Sequence, residues 1–153
     1  MPVPRNAGDF RKPNIFDRVS NGLFALLVGL GLGLPHNGLL FVRGRKTRRL
    51  RFTPVNILKF QGKRYLVAGR GRTQWVRNAG ASGEVGLWRY WWYRSFRVRA
   101  VPDAEKPEIL KAYLDRYRLT VQRYFAVRAR SEPAAFVAVA DRYPVFELLP
   151  LAR

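Results

Sequence analysis

Cysteine is absent from this 153-residue chain, and histidine occurs once, at His36. The first absence excludes disulfides and thiol catalysis, and it fits a reducing, cytoplasmic compartment. With one histidine and no cysteine, a dedicated zinc or haem site has no ligand set to draw on. Acidic residues are scarce, ten Asp and Glu against 29 Lys and Arg, for a net charge of +19. They are also unevenly placed: none falls between Asp17 and Glu84, an interval that holds thirteen Lys and Arg. Carboxylate acid–base or metal chemistry therefore has to come from outside that interval. A long apolar span is missing too. Residues 22–34 carry no charge, but thirteen residues fall short of the roughly 20 needed to cross a bilayer. That stretch starts too far into the chain, and lacks a small-residue cleavage site, to read as a signal peptide.

What is present describes a folded, strongly basic domain. Hydrophobic residues make up 48% and aromatics 14%, enough for a packed core. A chain of this length makes one domain that buries roughly 68–70% of its unfolded surface. The charge calls for an anionic partner: nucleic acid, a membrane surface, or a polyanionic cofactor or substrate. Its densest run is Arg43–Val55, where six of thirteen residues are cationic and none is acidic. Strand-like segments flank that run, so it reads as a loop presenting guanidinium and ammonium groups. The Gly44 amide and Thr47 hydroxyl are suited to phosphate oxygens. A merely solvated basic hairpin is the competing reading.

Taken in order, residues 1–13 read as a flexible arm and 14–153 as one domain opening with an apolar helix over 14–34. Whether that helix packs on the domain or touches membrane stays open. Gly38–Val42 reads as a strand, and Leu50–Phe60 as another, with Phe52, Val55, Ile57 and Leu58 in the core; Pro54 argues for an edge or a bulge there. A turn at Gln61–Gly62–Lys63 returns the chain along Arg64–Ala68. A second glycine–arginine loop, Gly69–Arg72, follows, and two such loops on neighbouring strands can converge on one anion. Thr73 is placed to cap a helical turn reaching Ala81. Residues 83–93 and 94–101 pair as a hairpin, with Phe96, Val98 and Ala100 inward. The aromatic run Trp88–Tyr93 suits core, a stacking platform or a membrane-level patch. An amphipathic helix spans Asp103 to about Leu119, with Ile109, Leu110, Tyr113, Leu114 and Tyr117 on one face. Ser131 caps a shorter helix carrying Phe136, Val137 and Ala140 inward, and Val145–Leu149 closes the chain as a strand. The coarse order is a helix, four or five antiparallel strands, two helices and a last strand, which suggests a small barrel or sheet with helices at its ends.

The two loops together form an ordered pattern. Gly44–Arg–Lys–Thr47, then Arg51, then Thr53–Pro–Val55, leads through a hairpin to Val67–Ala–Gly–Arg–Gly71 and Trp75–Val–Arg–Asn78. This resembles the deazaflavin-dependent nitroreductase family over roughly residues 35–150. The resemblance implies a mainly β fold with flanking helices, a split β-barrel of the FMN-binding, pyridoxamine-phosphate-oxidase-like type. It implies an oxidoreductase that binds reduced coenzyme F-420, an 8-hydroxy-5-deazaflavin, with FMN as the alternative cofactor. Hydride would pass to a hydrophobic conjugated acceptor such as a quinone, nitro compound or enone. Matched to the family's motifs, Arg45, Lys46, Thr47, Arg51 and Pro54 fall in its first cofactor-binding loop. Gly69, Arg70 and Gly71 fall in the second, and Trp75 and Asn78 match the residues after it. Tyr117 and Tyr124 stand where substrate-facing tyrosines occur. One departure is Arg48, where the family usually has glycine after the Ser/Thr. Homodimer formation and peripheral membrane contact at the cytoplasmic face stay open.

Two other readings compete. Basic residues interleaved with Trp and Tyr also serve single-strand nucleic-acid binders, although that does not account for the ordered loops. A flavin- or lipid-binding member of the same fold without catalysis is the other. For single residues the bland readings are a loop position for His36, core for Trp75, and packing for Tyr117.

Overall fold

The structure, a computed structural model, describes residues 38–151. The arm over 1–13, the apolar helix over 14–34 and His36 lie outside them. Seven antiparallel strands form one sheet: β1 (Gly38–Arg43), β2 (Leu50–Val55), β3 (Ile57–Phe60), β4 (Lys63–Val67), β5 (Glu84–Arg89), β6 (Trp92–Ala100) and β7 (Val145–Pro150). The spatial order is β2-β1-β5-β6-β7-β4-β3. The two edge strands β2 and β3 are thus consecutive in sequence, separated by Asn56 alone. A sheet whose far edges are joined by one residue has to curl, which makes it a half-barrel with an inner and an outer face.

Period-two alternation fills both faces. Leu40, Val42, Leu66, Leu87, Phe96 and Phe146 point inward with Val55 and Ile57 into one cluster. Leu40, Leu66 and Leu87 have no exposed surface, and each such burial stabilises by about 1.5–3 kcal/mol. The alternate residues Leu58, Tyr65, Val67 and Val145 face outward and are covered by helix α2 (Lys106–Val121) and the 3-10 segment Pro133–Arg142. Within that layer Lys106 is buried, donating to the Ala140 carbonyl at 3.1 Å and pairing with Asp103 at 2.6 Å.

Helix α1 (Gln74–Ser82) inserts Val76 and Ala79 into the inner cluster. It stops at Gly83, whose φ of 75° is the left-handed C-terminal cap that glycine adopts without strain. Thr73 occupies the expected N-cap position, but its hydroxyl makes no capping bond.

Several expected boundaries shift. Leu50–Phe60 is two strands, because Asn56 is where the chain changes sheet edge. Among the described residues six strands consequently precede α2, where four or five were expected. Pro54 does sit on an edge strand. Phe52 is 51% exposed: it is opposite Phe41, on the outer side of the sheet. The β5–β6 turn falls at Tyr90–Trp91, three residues earlier than expected, with Tyr90 at a φ of 55°. Ala100 is exposed at the strand end while Phe96 and Val98 face in. Asp103–Glu105 is a 3-10 turn that precedes α2, and Glu132, not Ser131, holds the cap position of the 3-10 segment. Val137, expected inward, is 66% exposed, while Phe136 and Ala140 are buried as expected.

Candidate functional site

Loop 1, Gly44–Arg49, joins β1 to β2 and is tightly closed. The Gly44 N–H donates to the Arg49 carbonyl at 2.8 Å, and the Arg48 N–H donates to the Gly44 carbonyl at 2.9 Å. The Thr47 hydroxyl accepts from the Arg49 N–H at 3.3 Å, and Arg43 Nη1 donates to the Arg48 carbonyl at 2.8 Å. A Cβ on Gly44 would stand 2.8 Å from Thr47 Oγ1 and 3.3 Å from the Arg49 carbonyl oxygen, so a side chain there would displace the Thr47 hydroxyl and crowd the turn. The Gly44 amide expected to meet an anion is spent on this closure, whereas the Thr47 hydroxyl keeps its proton to donate. Arg48 holds a φ of 63°, the left-handed region, at the position where the family usually has glycine.

Arg45 pins the loop to α1. Its backbone N–H and its Nη1 donate to Asn78 Oδ1 at 3.1 and 2.8 Å, and Nη1 also reaches Gln74 Oε1 at 2.9 Å. Asn78 is buried, with 3% of its surface exposed, so one side-chain oxygen fixes the loop. Lys46, Thr47, Arg48, Arg49 and Arg51 are exposed. Among the described residues no carboxylate pairs with them.

Loop 2 runs directly into the N-terminus of α1. The Gly71 N–H donates to Ala68, the Thr73 N–H donates to Gly71, and Gly71 has a φ of 83°. Beside the loop lies an open cleft of about 620 Å³, with Gly69, Arg70 and Gly71 on one side and Arg123, Tyr124 and Arg142 on the other. The Tyr124 ring takes the Arg123 guanidinium at 4.8 Å and that of Arg70 at 5.8 Å. Its floor is rigid: Phe125 and Tyr143 stack at 4.4 Å, and the Tyr143 hydroxyl accepts from the Ala126 N–H at 2.8 Å. Neither carboxylate nor imidazole lines this cleft.

The two loops are joined through α1: Arg45 bonds to its side chains, and loop 2 becomes its first turn. Asn78 serves both as packing and as the acceptor for Arg45. Trp75 is half-buried 6.1 Å from Phe146 and belongs to the inner packing. Pro54 lies opposite Leu39, on the other side of β2 from Arg51. Tyr117 stands apart from the cleft, with its hydroxyl donating to the Ile57 carbonyl at 2.9 Å. Arg123 and Arg142 were not singled out from sequence, because neither sits in a glycine-led loop. Gln74 was likewise hidden, its part being visible only once α1 is set against loop 1.

Chemically, this is a cation-rich loop and a carboxylate-free cleft with an aromatic wall. The arrangement binds polyanionic and planar groups and offers no protein acid–base pair of its own.

Residues 17–140 match the F420H(2)-dependent quinone reductase family. No curated protein matches the chain. Among solved structures, one described as a domain-swapped dimer matches 88% of this chain and 99% of its own, at 20% identity and a TM-score of 0.52. An F420-H2 dependent reductase, FDR-A, matches 72% of this chain and 91% of its own, at 18% identity and a TM-score of 0.50. A pyridoxamine 5'-phosphate oxidase-type protein from Listeria innocua matches 75% and 83%, at 10% identity and a TM-score of 0.50. These likenesses bear out the split β-barrel expected from the loop pattern. With its match running through both loops and most of the sheet, the chain belongs to the F420H(2)-dependent quinone reductase family, and it is an F-420-dependent oxidoreductase.

Proposed function

We propose that the protein holds reduced F-420 between loop 1 and the cleft, and passes a hydride to a hydrophobic conjugated acceptor. Quinones come first, with nitro compounds and enones as further candidates. The donor set fits such a cofactor. Lys46, Thr47 and Arg51 offer ammonium, hydroxyl and guanidinium donors to its phosphate and glutamate tail, with no carboxylate competing among the described residues. Arg45 acts on loop position, its guanidinium being held by Asn78 and Gln74. Gly69 lets the cleft wall pack closely on Phe125, since a Cβ there would stand 3.1 Å from that ring, and Gly71 supplies the left-handed turn at a φ of 83°.

When bound, the deazaflavin supplies the hydride, so the protein's part is orientation, charge and exclusion of water. Tyr124 fits the acceptor side: its hydroxyl can donate to an acceptor oxygen as that atom gains charge. Arg70 and Arg123 over its ring hold it in place. The observation that carries this reading is the carboxylate-free cleft beside loop 2, in a chain whose family uses F420H(2).

The test is anaerobic turnover of reduced F-420 with a soluble naphthoquinone, followed by the return of the oxidised cofactor's fluorescence. Protein-dependent oxidation that Tyr124→Phe slows is the expected result. Tight cofactor binding without consumption of any quinone, nitro compound or enone would instead assign a non-catalytic binding role.

A further inference from the structure

Helix α2 and the 3-10 segment cover the outer face of β3, β4 and β7. Among the described residues no helix covers the outer face of β2, β1, β5 and β6. Alternation usually leaves polar side chains on such a face. Here the register sets Pro54, Leu39, Trp88 and Tyr93 in one row, with Leu39 buried, and Phe52, Phe41, Gly86 and the exposed Ser95 in the next. Phe41 lies 6.1 Å from Phe52 and 5.7 Å from Tyr93, so the rings are continuous. Gly86 makes this possible, because a Cβ there would overlap the Tyr93 hydroxyl. Phe52 and Tyr93 are about half exposed, and Trp91 at the hairpin tip is 90% exposed. Tyr90 lies beside Trp91 at 5.8 Å, with the Arg89 guanidinium 4.9 Å over its ring. A contiguous apolar patch rimmed by charge marks an interaction surface.

The rim decides the occupant. Toward loop 1 the face turns charged: Arg43 stands opposite Leu50 on β1 and β2, and Glu84 opposite Arg97 on β5 and β6, one carboxylate against two arginines. Beyond it lie the exposed cations of loop 1. Two copies of a chain of net charge +19 would bring basic rims together at cost. A partner that is apolar within and anionic at its boundary suits both parts of the patch. Tyr and Trp rings, apolar in body and polar at one edge, are matched to that boundary.

We propose that this face docks on the surface of an anionic lipid bilayer, with Trp91, Tyr93 and Phe52 entering the headgroup–acyl boundary. The redox reading is not needed for this, and the test uses no cofactor. The full chain is sedimented with vesicles of phosphatidylglycerol and phosphatidylcholine, and with phosphatidylcholine vesicles alone. The expected result is partition onto the anionic vesicles that Trp91→Ser and Phe52→Ser each reduce roughly tenfold, while Arg118→Ser on α2 leaves it unchanged. Both altered positions are exposed, so unchanged thermal melts should accompany the loss. Three results would overturn the proposal: no vesicle binding, binding that both variants leave intact, or variants that turn a dimer into monomers by light scattering. The second would reduce the effect to net charge, and the third would assign the face to a second copy.

Discussion

At the scale of single residues, loop 1 depends on two unequal positions. Arg48 takes a φ of 63°, which costs an L side chain about 1–2 kcal/mol relative to glycine. It is exposed, so glycine there removes no packing. Arg48→Gly should therefore raise stability by about 0.5–1 kcal/mol in urea unfolding; a loss would mean that its side chain holds the loop in some other way. The departure from the family's glycine was visible in the sequence, but its meaning required the dihedral. Asn78 is the opposite case. Its Oδ1 accepts both Arg45 bonds, so Asn78→Ala should cost about 1–2 kcal/mol and loosen the loop. Cofactor affinity should fall with it, and Asn78→Asp, which keeps the acceptor, should restore most of it. Sequence pattern marked Asn78 as a family position but could not tell that Arg45 is its partner, since the two are far apart in the chain.

At the scale of elements, the legible parts were those with strict alternation or forced turns. β6 alternates Phe96 and Val98 against Arg97 and Arg99, and the Gln61–Gly62 turn has both residues at positive φ, as a two-residue type I′ hairpin requires. Leu50–Phe60 was read as one strand because Asn56 breaks no local rule; only the topology makes it a corner. The aromatic run at 88–93 obscured its own turn, since Tyr90 and Trp91 favour strands by propensity. Farther along, α2 is tied to the following loop through Asp115, which accepts from Lys111 at 2.9 Å and from the Arg130 N–H. Burial opposes ionisation of Asp115, but the Lys111 and Arg130 bonds outweigh it and hold its carboxyl below the ordinary 3.8. Its contribution is therefore present above that ordinary value and lost as pH falls through the lower folded-state value. Asp115→Asn should be less stable at neutral pH and should lose part of the acid-side decline. An unchanged pH profile in urea unfolding would show that the contact contributes nothing.

At the scale of the molecule, charge and fold divide the work. The curled sheet supplies a rigid frame, α1 joins the two loops, and the net charge of +19 draws in an anionic ligand. The glycine–arginine loops were legible as a pair. The cleft's Arg123 and Arg142 were not, because residues 74 and 93 positions beyond the end of loop 1 meet the site only through the sheet order. If exposed cations hold the cofactor's phosphate and tail, added salt should weaken F-420 binding roughly tenfold between low and physiological ionic strength. The deazaflavin core without phosphate or tail should bind with little salt dependence. Equal salt dependence for both would place the charge effect elsewhere.

The measurement that bears most directly on the account is a fluorescence titration of nucleic-acid-free protein with F-420, with FMN in parallel, for the parent chain, Lys46→Ala and Arg51→Ala. The account predicts that F-420 is preferred and that each substitution weakens its binding by about 1–3 kcal/mol. Unchanged F-420 affinity in both variants would contradict the assignment of loop 1. Failure to bind either flavin, with salt-dependent binding of oligonucleotides instead, would give the basic surface to nucleic acid.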